Sequence, residues 1–153
     1  MSIKEETEAL KRSPLFSKLD PAKLKLLAFM SQRLSFEPGQ AVFAQGDPGD
    51  AAYIVLDGEA AILIDTPGGA VEIARLTRNQ IVGEIAILCD VPRTAHVRAA
   101  GDKPLVCLKI EKDDFMALVN EFPSMGVEIM RELARRLDKT NQQLRQAMSN
   151  KGA

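Results

Sequence analysis

The chain has 153 residues, 46% of them hydrophobic and 27% charged, which is the size and mix of one soluble domain with its own core, residues 1–153. Twenty basic side chains against 21 acidic ones leave a formal net charge of -1, with none of the basic excess of a dedicated nucleic-acid binder.

The first predicted element is a helix near the N-terminus, where Ser2 and Glu5 have the spacing of a capping box. Asp20 followed by Pro21 marks a second helix start, an N-cap oxygen and then a proline whose missing N–H is not needed. Leu24, Leu27 and Ala28 follow at helical spacing. These N-terminal helices are expected to occupy residues 1–34. From about Ser35 the period changes to two. Short runs at Ala41–Ala44, Ala52–Leu56, Ala60–Ile64, Val71–Leu76 and Leu105–Ile110 read as strands, separated by turns such as Pro38-Gly39, Asp57-Gly58 and Gly101-Asp102. This predicts a mainly β fold, an antiparallel β-roll or jelly-roll sandwich of about eight strands over residues 35–110. One segment breaks the pattern: residues 83–88 have the look of one or two helical turns between strands. After Glu111 the helical period returns and carries residues 111–153. Asp113, Phe115, Leu118, Val119 and Phe122 fit a short helix stopped near Pro123. Met130, Leu133, Leu137, Thr140, Leu144 and Ala147 then alternate by three and four, a coiled-coil seam of nearly three heptads on a long C-terminal helix.

Two cysteines are too few for a disulfide scaffold, and Cys89 and Cys107 are expected to be small buried hydrophobes. The single histidine, His96, argues against a histidine-rich metal site, so neither a metal nor a catalytic residue is expected. Its place between Ala95 and Val97 suggests a plain outward-facing strand residue. The longest apolar run, Ala51–Leu56, is far short of the roughly 20 residues of a membrane helix. The polar, acidic start is not a signal peptide, so no membrane insertion and a cytoplasmic location are expected.

The chemistry lies in Gly83-Glu84-Ile85-Ala86, a five-residue step, and then Pro92-Arg93-Thr94-Ala95. A short helix that begins at a glycine offers free backbone N–H groups to an anion, and glycine admits close approach to the backbone. The planar fork of Arg93 can grip phosphate oxygens in pairs. Glu84 accepts hydrogen bonds and donates none, which suits a sugar hydroxyl. A carboxylate alone would repel phosphate, so the ligand should carry both groups. Singly, each of these residues is also what a surface arginine or a helix-start acid would be.

The combination resembles the phosphate-binding cassette of cyclic nucleotide-binding domains, the sensor modules of catabolite-activator-type regulators, cyclic-nucleotide-gated channels and cyclic-nucleotide-dependent kinases. The stretch Gly46 to Gly58 resembles that family's glycine-turn signature, and Ser13-Pro14-Leu15-Phe16 with Leu19-Asp20 its helical entry. The resemblance runs from about Pro14 to about Gln143. It implies that Glu84 accepts from the ribose 2′-hydroxyl, that Arg93 pairs with the exocyclic phosphate oxygens, and that backbone groups near Gly83, Ile85 and Ala95 complete the cradle. Thr94 stands where a hydroxyl reaches phosphate and, with a syn purine, the guanine amino group. The C-terminal helix is similar to the dimer helix of the catabolite-activator type, which assigns Thr140 and Asn141 to the base, Asn141 reaching across from a second subunit. Val82 stands where many members have phenylalanine.

The resemblance therefore implies a non-enzymatic receptor for cAMP or cGMP, with no cofactor, that repacks its C-terminal helix on binding. Such a protein would pair as a homodimer through that helix and signal through a protein effector. Two alternatives remain: a catabolite-activator-type transcription regulator without its DNA-reading part, and a dimerising scaffold that binds no ligand. The chain stops at Ala153, where a helix-turn-helix would begin, so no nucleic-acid partner is expected.

Overall fold

The computed structural model describes residues 3–13 and 15–151. In chain order the elements are α1 (Ile3–Arg12), α2 (Pro21–Met30), β1 (Gln32–Phe36), β2 (Ala41–Phe43), β3 (Ala51–Asp57), β4 (Glu59–Thr66), β5 (Gly69–Leu76), β6 (Ile81–Val82), α3 (Glu84–Cys89), β7 (His96–Ala100), β8 (Leu105–Glu111), α4 (Lys112–Glu121) and α5 (Pro123–Lys151). The strands form two antiparallel sheets of four, in the orders β1-β8-β3-β6 and β2-β7-β4-β5. This is the expected β-roll, with helices before, within and after it.

The helix signals act as their chemistry predicts. The Asp20 carboxylate accepts from the Ala22 N–H at 2.9 Å, with Pro21 as the first helical residue of α2. Ser2, the expected cap of α1, lies outside the described residues. The expected change of period at Ser35 comes three residues late, because β1 begins at Gln32. The Ser31 hydroxyl bonds back to Leu27 O at 2.6 Å and closes α2, and Gln32 and Arg33 then join the ladder opposite Lys109 and Leu108. Both are polar and exposed, so no apolar alternation marks them.

Two cores meet at β3. Ala52 and Ile54 face the helices, packing with Leu10, Phe16, Leu27 and Phe115, whereas Ala51, Tyr53 and Val55 face the roll interior with Val97, Leu105 and Cys107. A strand covered on both faces needs apolar residues on both, which explains the unbroken run Ala51–Leu56. Gly58, at φ +83°, makes the tight exit from β3; a side chain there would begin 2.6 Å from Pro104 O.

The cysteines divide. Cys107 is buried, and burial pushes its thiol up to about 12, but Cys89 at the end of α3 is exposed, contrary to expectation. A six-residue helix has one covered side, and Ile87 takes it at 1% exposure. His96 faces outward, as the alternation predicts, but it is not a plain strand residue. Its Nδ1 accepts from the Gln45 N–H at 3.0 Å and its Nε2 lies 2.7 Å from Asp65 Oδ1, tying β7 to β4 and to the loop after β2. No helix among the described residues is long and apolar enough to cross a membrane.

Candidate functional site

The site is built where β6 runs into α3 and where the loop after α3 returns to β7. Gly83 makes the turn with φ +88°, a conformation that costs side-chain-bearing residues. A Cβ here would also lie 2.5 Å from Arg93 Nη1 and 3.0 Å from Ala51 O, so only glycine lets the arginine come this close. Ile85 is the second residue of α3.

Arg93 is held first by its backbone. Its N–H donates to Asp47 O and its carbonyl accepts from the Gly46 N–H, both at 2.8 Å. This reciprocal pair locks the cassette loop to the glycine turn. The side chain then runs inward and is only 2% exposed. Its guanidinium lies 4.0 Å from the centroid of the Phe43 ring and 6.0 Å from that of Tyr53. Its polar contacts are long: Nη1 donates to Gly83 O at 3.4 Å, Nη2 lies 3.5 Å from Asp50 Oδ1, and Nε is buried without a partner. Burial pulls the guanidinium below its ordinary range, against upward pulls from Tyr53, Asp50 and Asp47. Charged groups are normally removed from water only when well paired. Arg93 is therefore a buried cation with donors to spare.

Glu84 opens α3. Burial raises its carboxyl above the ordinary range, offset by its own backbone N–H and by Arg136. Arg136, on α5, brings Nη1 to 3.5 Å from Glu84 Oε1. Arg136, one of the basic residues of α5, thus reaches back to the cassette. Gly83, Glu84, Arg93, Thr94 and Ala95 all line one cavity of about 300 Å³, whose remaining wall is apolar and includes Phe43, Ile62 and Leu76. That is the small end of the range for small-molecule sites, with the usual mix of apolar lining and a few convergent polar groups. Thr140 and Asn141 lie elsewhere: both are exposed on the outer half of α5 and neither lines the cavity.

Four contributors were not assigned a role from the sequence: Phe43, Asp50, Tyr53 and Arg136. Asp50 and Tyr53 fall within the Gly46–Gly58 signature, which marked them as a motif without saying what they touch. Arg136 lies one helical turn before Thr140, close to the predicted base contact. Phe43 had no signal, because its direction is set by an irregularity in β2.

An eight-stranded β-roll with a glycine-started helix, a buried arginine and an acid at the helix start is the architecture of a cyclic nucleotide-binding domain. The cyclic nucleotide-binding domain profile matches residues 33–122, and the chain belongs to that family. A CRP-like cAMP-activated global transcriptional regulator of Mycobacterium tuberculosis is 29% identical over 138 residues, 90% of this chain and 61% of its own length. Among solved structures, the N-terminal domain of a transcriptional regulator from Streptomyces coelicolor A3(2) superposes with a TM-score of 0.76 at 31% identity, covering 88% of this chain and 95% of that one. The regulatory domain of Toxoplasma gondii PKA, solved with cAMP, gives 0.72 at 25% identity, covering 76% of this chain and 44% of that one. The chain spans about three fifths of the length of the first of these curated relatives.

Proposed function

We propose that this chain is a non-enzymatic receptor for a cyclic nucleotide, cAMP or cGMP, bound in the 300 Å³ cavity. The observation that carries this reading is Arg93, a buried guanidinium whose polar contacts among the described residues are at 3.4 and 3.5 Å and whose Nε has none there. An anionic phosphate supplies what these donors lack, and Glu84 beside them accepts from the ribose. Arg93 and Glu84 thus read phosphate and sugar together, and Ile62 and Leu76 on the apolar wall receive the base, with Thr94 placed to contact phosphate or a guanine amino group.

The Glu84–Arg136 contact supports a mechanism for output. A ribose hydroxyl that takes the Glu84 carboxylate competes with Arg136 for it and so alters the hold of the cassette on α5. The ligand favours whichever α5 arrangement lets it use Glu84 best, and the shift is as large as that difference in affinity. The exposed stripe Met130, Leu137, Leu144 and Met148 favours pairing with a second copy, from which, by the family resemblance, Asn141 would reach toward each cavity. Calorimetry with cAMP and cGMP tests the reading directly. Micromolar or tighter binding by the unaltered chain, weakened about thirtyfold or more in Arg93→Ala, is the expected result, and equal affinity in both proteins would sink it.

A second reading, the sensor part of a transcription regulator, is favoured by the relatives' names and by the same α5 stripe. It differs in the output partner and not in the ligand. A salt-dependent gel shift of duplex DNA by the full-length protein would decide for it.

A further inference from the structure

The register of β2 against β7 slips between Ala41, opposite Arg98, and Phe43, opposite Val97. Val42 is thus an extra residue, a bulge. Bulges re-aim side chains and recur beside functional sites. Without it, Val42 would face Val97 and Phe43 would lie opposite His96. With it, Phe43 shares the inward side of Val97, which is 1% exposed, and packs against the roll interior. There its ring meets Tyr53 at 5.9 Å between centroids, and Tyr53 meets Phe36 edge-on at 6.5 Å. The chain has six phenylalanines, one tyrosine and no tryptophan. Phe43 and Tyr53 face one guanidinium and Phe36 backs them.

Resting on the cyclic-nucleotide reading above, we propose that Phe43 is a positioning residue for the ligand phosphate, acting through Arg93. A ring 4.0 Å from the guanidinium carbon stabilises the cation through its π face. Guanidinium donors lie in the plane of the group, so a partner on the face uses none of them. A carboxylate in the same place would occupy the donors and compete with phosphate. The ring therefore compensates burial of the charge without using its donors, which have only the long contacts to Gly83 O and Asp50 to give up to the ligand. The mutual geometry is fixed because the turn after Phe43 is bound to the Arg93 backbone by the two 2.8 Å hydrogen bonds of Gly46 and Asp47.

The test is calorimetry with cAMP and cGMP on the full chain, with Phe43→Leu, Phe43→Met and Phe43→Tyr, each alone and with Arg93→Ala. Thermal melting establishes that each variant is folded. Displacement of a fluorescent cyclic nucleotide extends the range for weak binders. In the unaltered background, Phe43→Leu is expected to weaken binding roughly three- to thirty-fold. Phe43→Tyr, which keeps a π face, should stay within about twofold of the parent, and Phe43→Leu should cost nothing further once Arg93 is alanine. Equal losses in both backgrounds, or a tyrosine variant as weak as the leucine one, would mean that Phe43 only fills space and would overturn the proposal. So would unchanged affinity in folded Phe43→Leu. If the leucine variant does not fold, Phe43→Met carries the same comparison. Absence of binding by the unaltered chain is seen before any substitution; it would refute the cyclic-nucleotide reading itself, and this proposal with it.

Discussion

The cassette and the outer half of α5 treat their awkward groups in opposite ways. The cassette hides a charge: Arg93 is 2% exposed, and aromatic rings from elsewhere in the same chain compensate it. The outer half of α5 leaves apolar groups in water, with Leu137 at 63% and Leu144 at 58% exposed, and residues 137–150 are all exposed. A buried cation whose polar contacts are long and an exposed hydrophobic seam are each unfavourable in the isolated chain. We propose that each is met by a binding partner. For Arg93 the chemistry asks for a small anion. For α5 the seven-residue spacing of Met130, Leu137 and Leu144 asks for another helix. Arg136 joins the two regions through its 3.5 Å contact with Glu84.

The strongest way to break this contrast is Arg93→Ala. Removing one partner of a desolvated charge pair should cost about 2–5 kcal/mol of cyclic-nucleotide affinity, measured by calorimetry. Stability of the ligand-free chain should fall far less, since its own polar contacts to Arg93 are long. Gly83→Ala comes next. The left-handed backbone and the crowding against Arg93 and Ala51 should together cost about 1–3 kcal/mol of stability in urea melts, and affinity should drop as well. Gly39→Ala is the control: its φ is +86° but nothing lies within 4 Å, so it should show the strain without loss of binding.

The α5 side of the comparison is sharpened by Leu137→Glu combined with Leu144→Glu. If the stripe is a self-association seam, sedimentation should show the dimer lost, whereas the β-roll, which these side chains do not touch, should keep its stability within about 0.5 kcal/mol. A chain that is monomeric before substitution would refute the seam. The smallest effect is expected from Glu84→Gln. Burial raises the Glu84 carboxyl, so the folded state holds its proton more tightly than the unfolded one, and the ionised group costs stability as pH rises through the raised value. Glu84→Gln should therefore raise the melting temperature of the ligand-free chain at neutral pH and weaken that pH dependence. It should also weaken nucleotide binding, because an amide is a poorer acceptor than a carboxylate.

Much of the fold was legible because its signals are local. Asp20 with Pro21 starts α2, glycine turns separate the strands, and Pro123 follows α4. The two-residue β6 was missed, since so short a strand carries no pattern. The start of β1 was missed because its first residues are polar on both faces. At the site, Gly83, Glu84, Arg93, Thr94 and Ala95 were found as a spaced motif, and the structure gathers all five around one cavity. Cys89 was misjudged because a cysteine's burial depends on which side of a short helix meets the core. The alternation gives the outward direction of His96, but not its partners, because Gln45 and Asp65 are 51 and 31 residues away.

By itself, the sequence determined the order of elements and the donor and acceptor types of the cassette. Both are set by residue identity and short spacings: a glycine at the turn, an acid at the helix start, an arginine after a proline. Only the tertiary structure decided that Arg93 is buried against Phe43 and Tyr53, that Asp50 stands beside it, and that Arg136 reaches Glu84. These contacts join residues 40 to 52 positions apart, and they depend on a bulge at Val42 and on the docking of α5. No local pattern encodes either, because both arise from how strands and helices pack once the two sheets have closed.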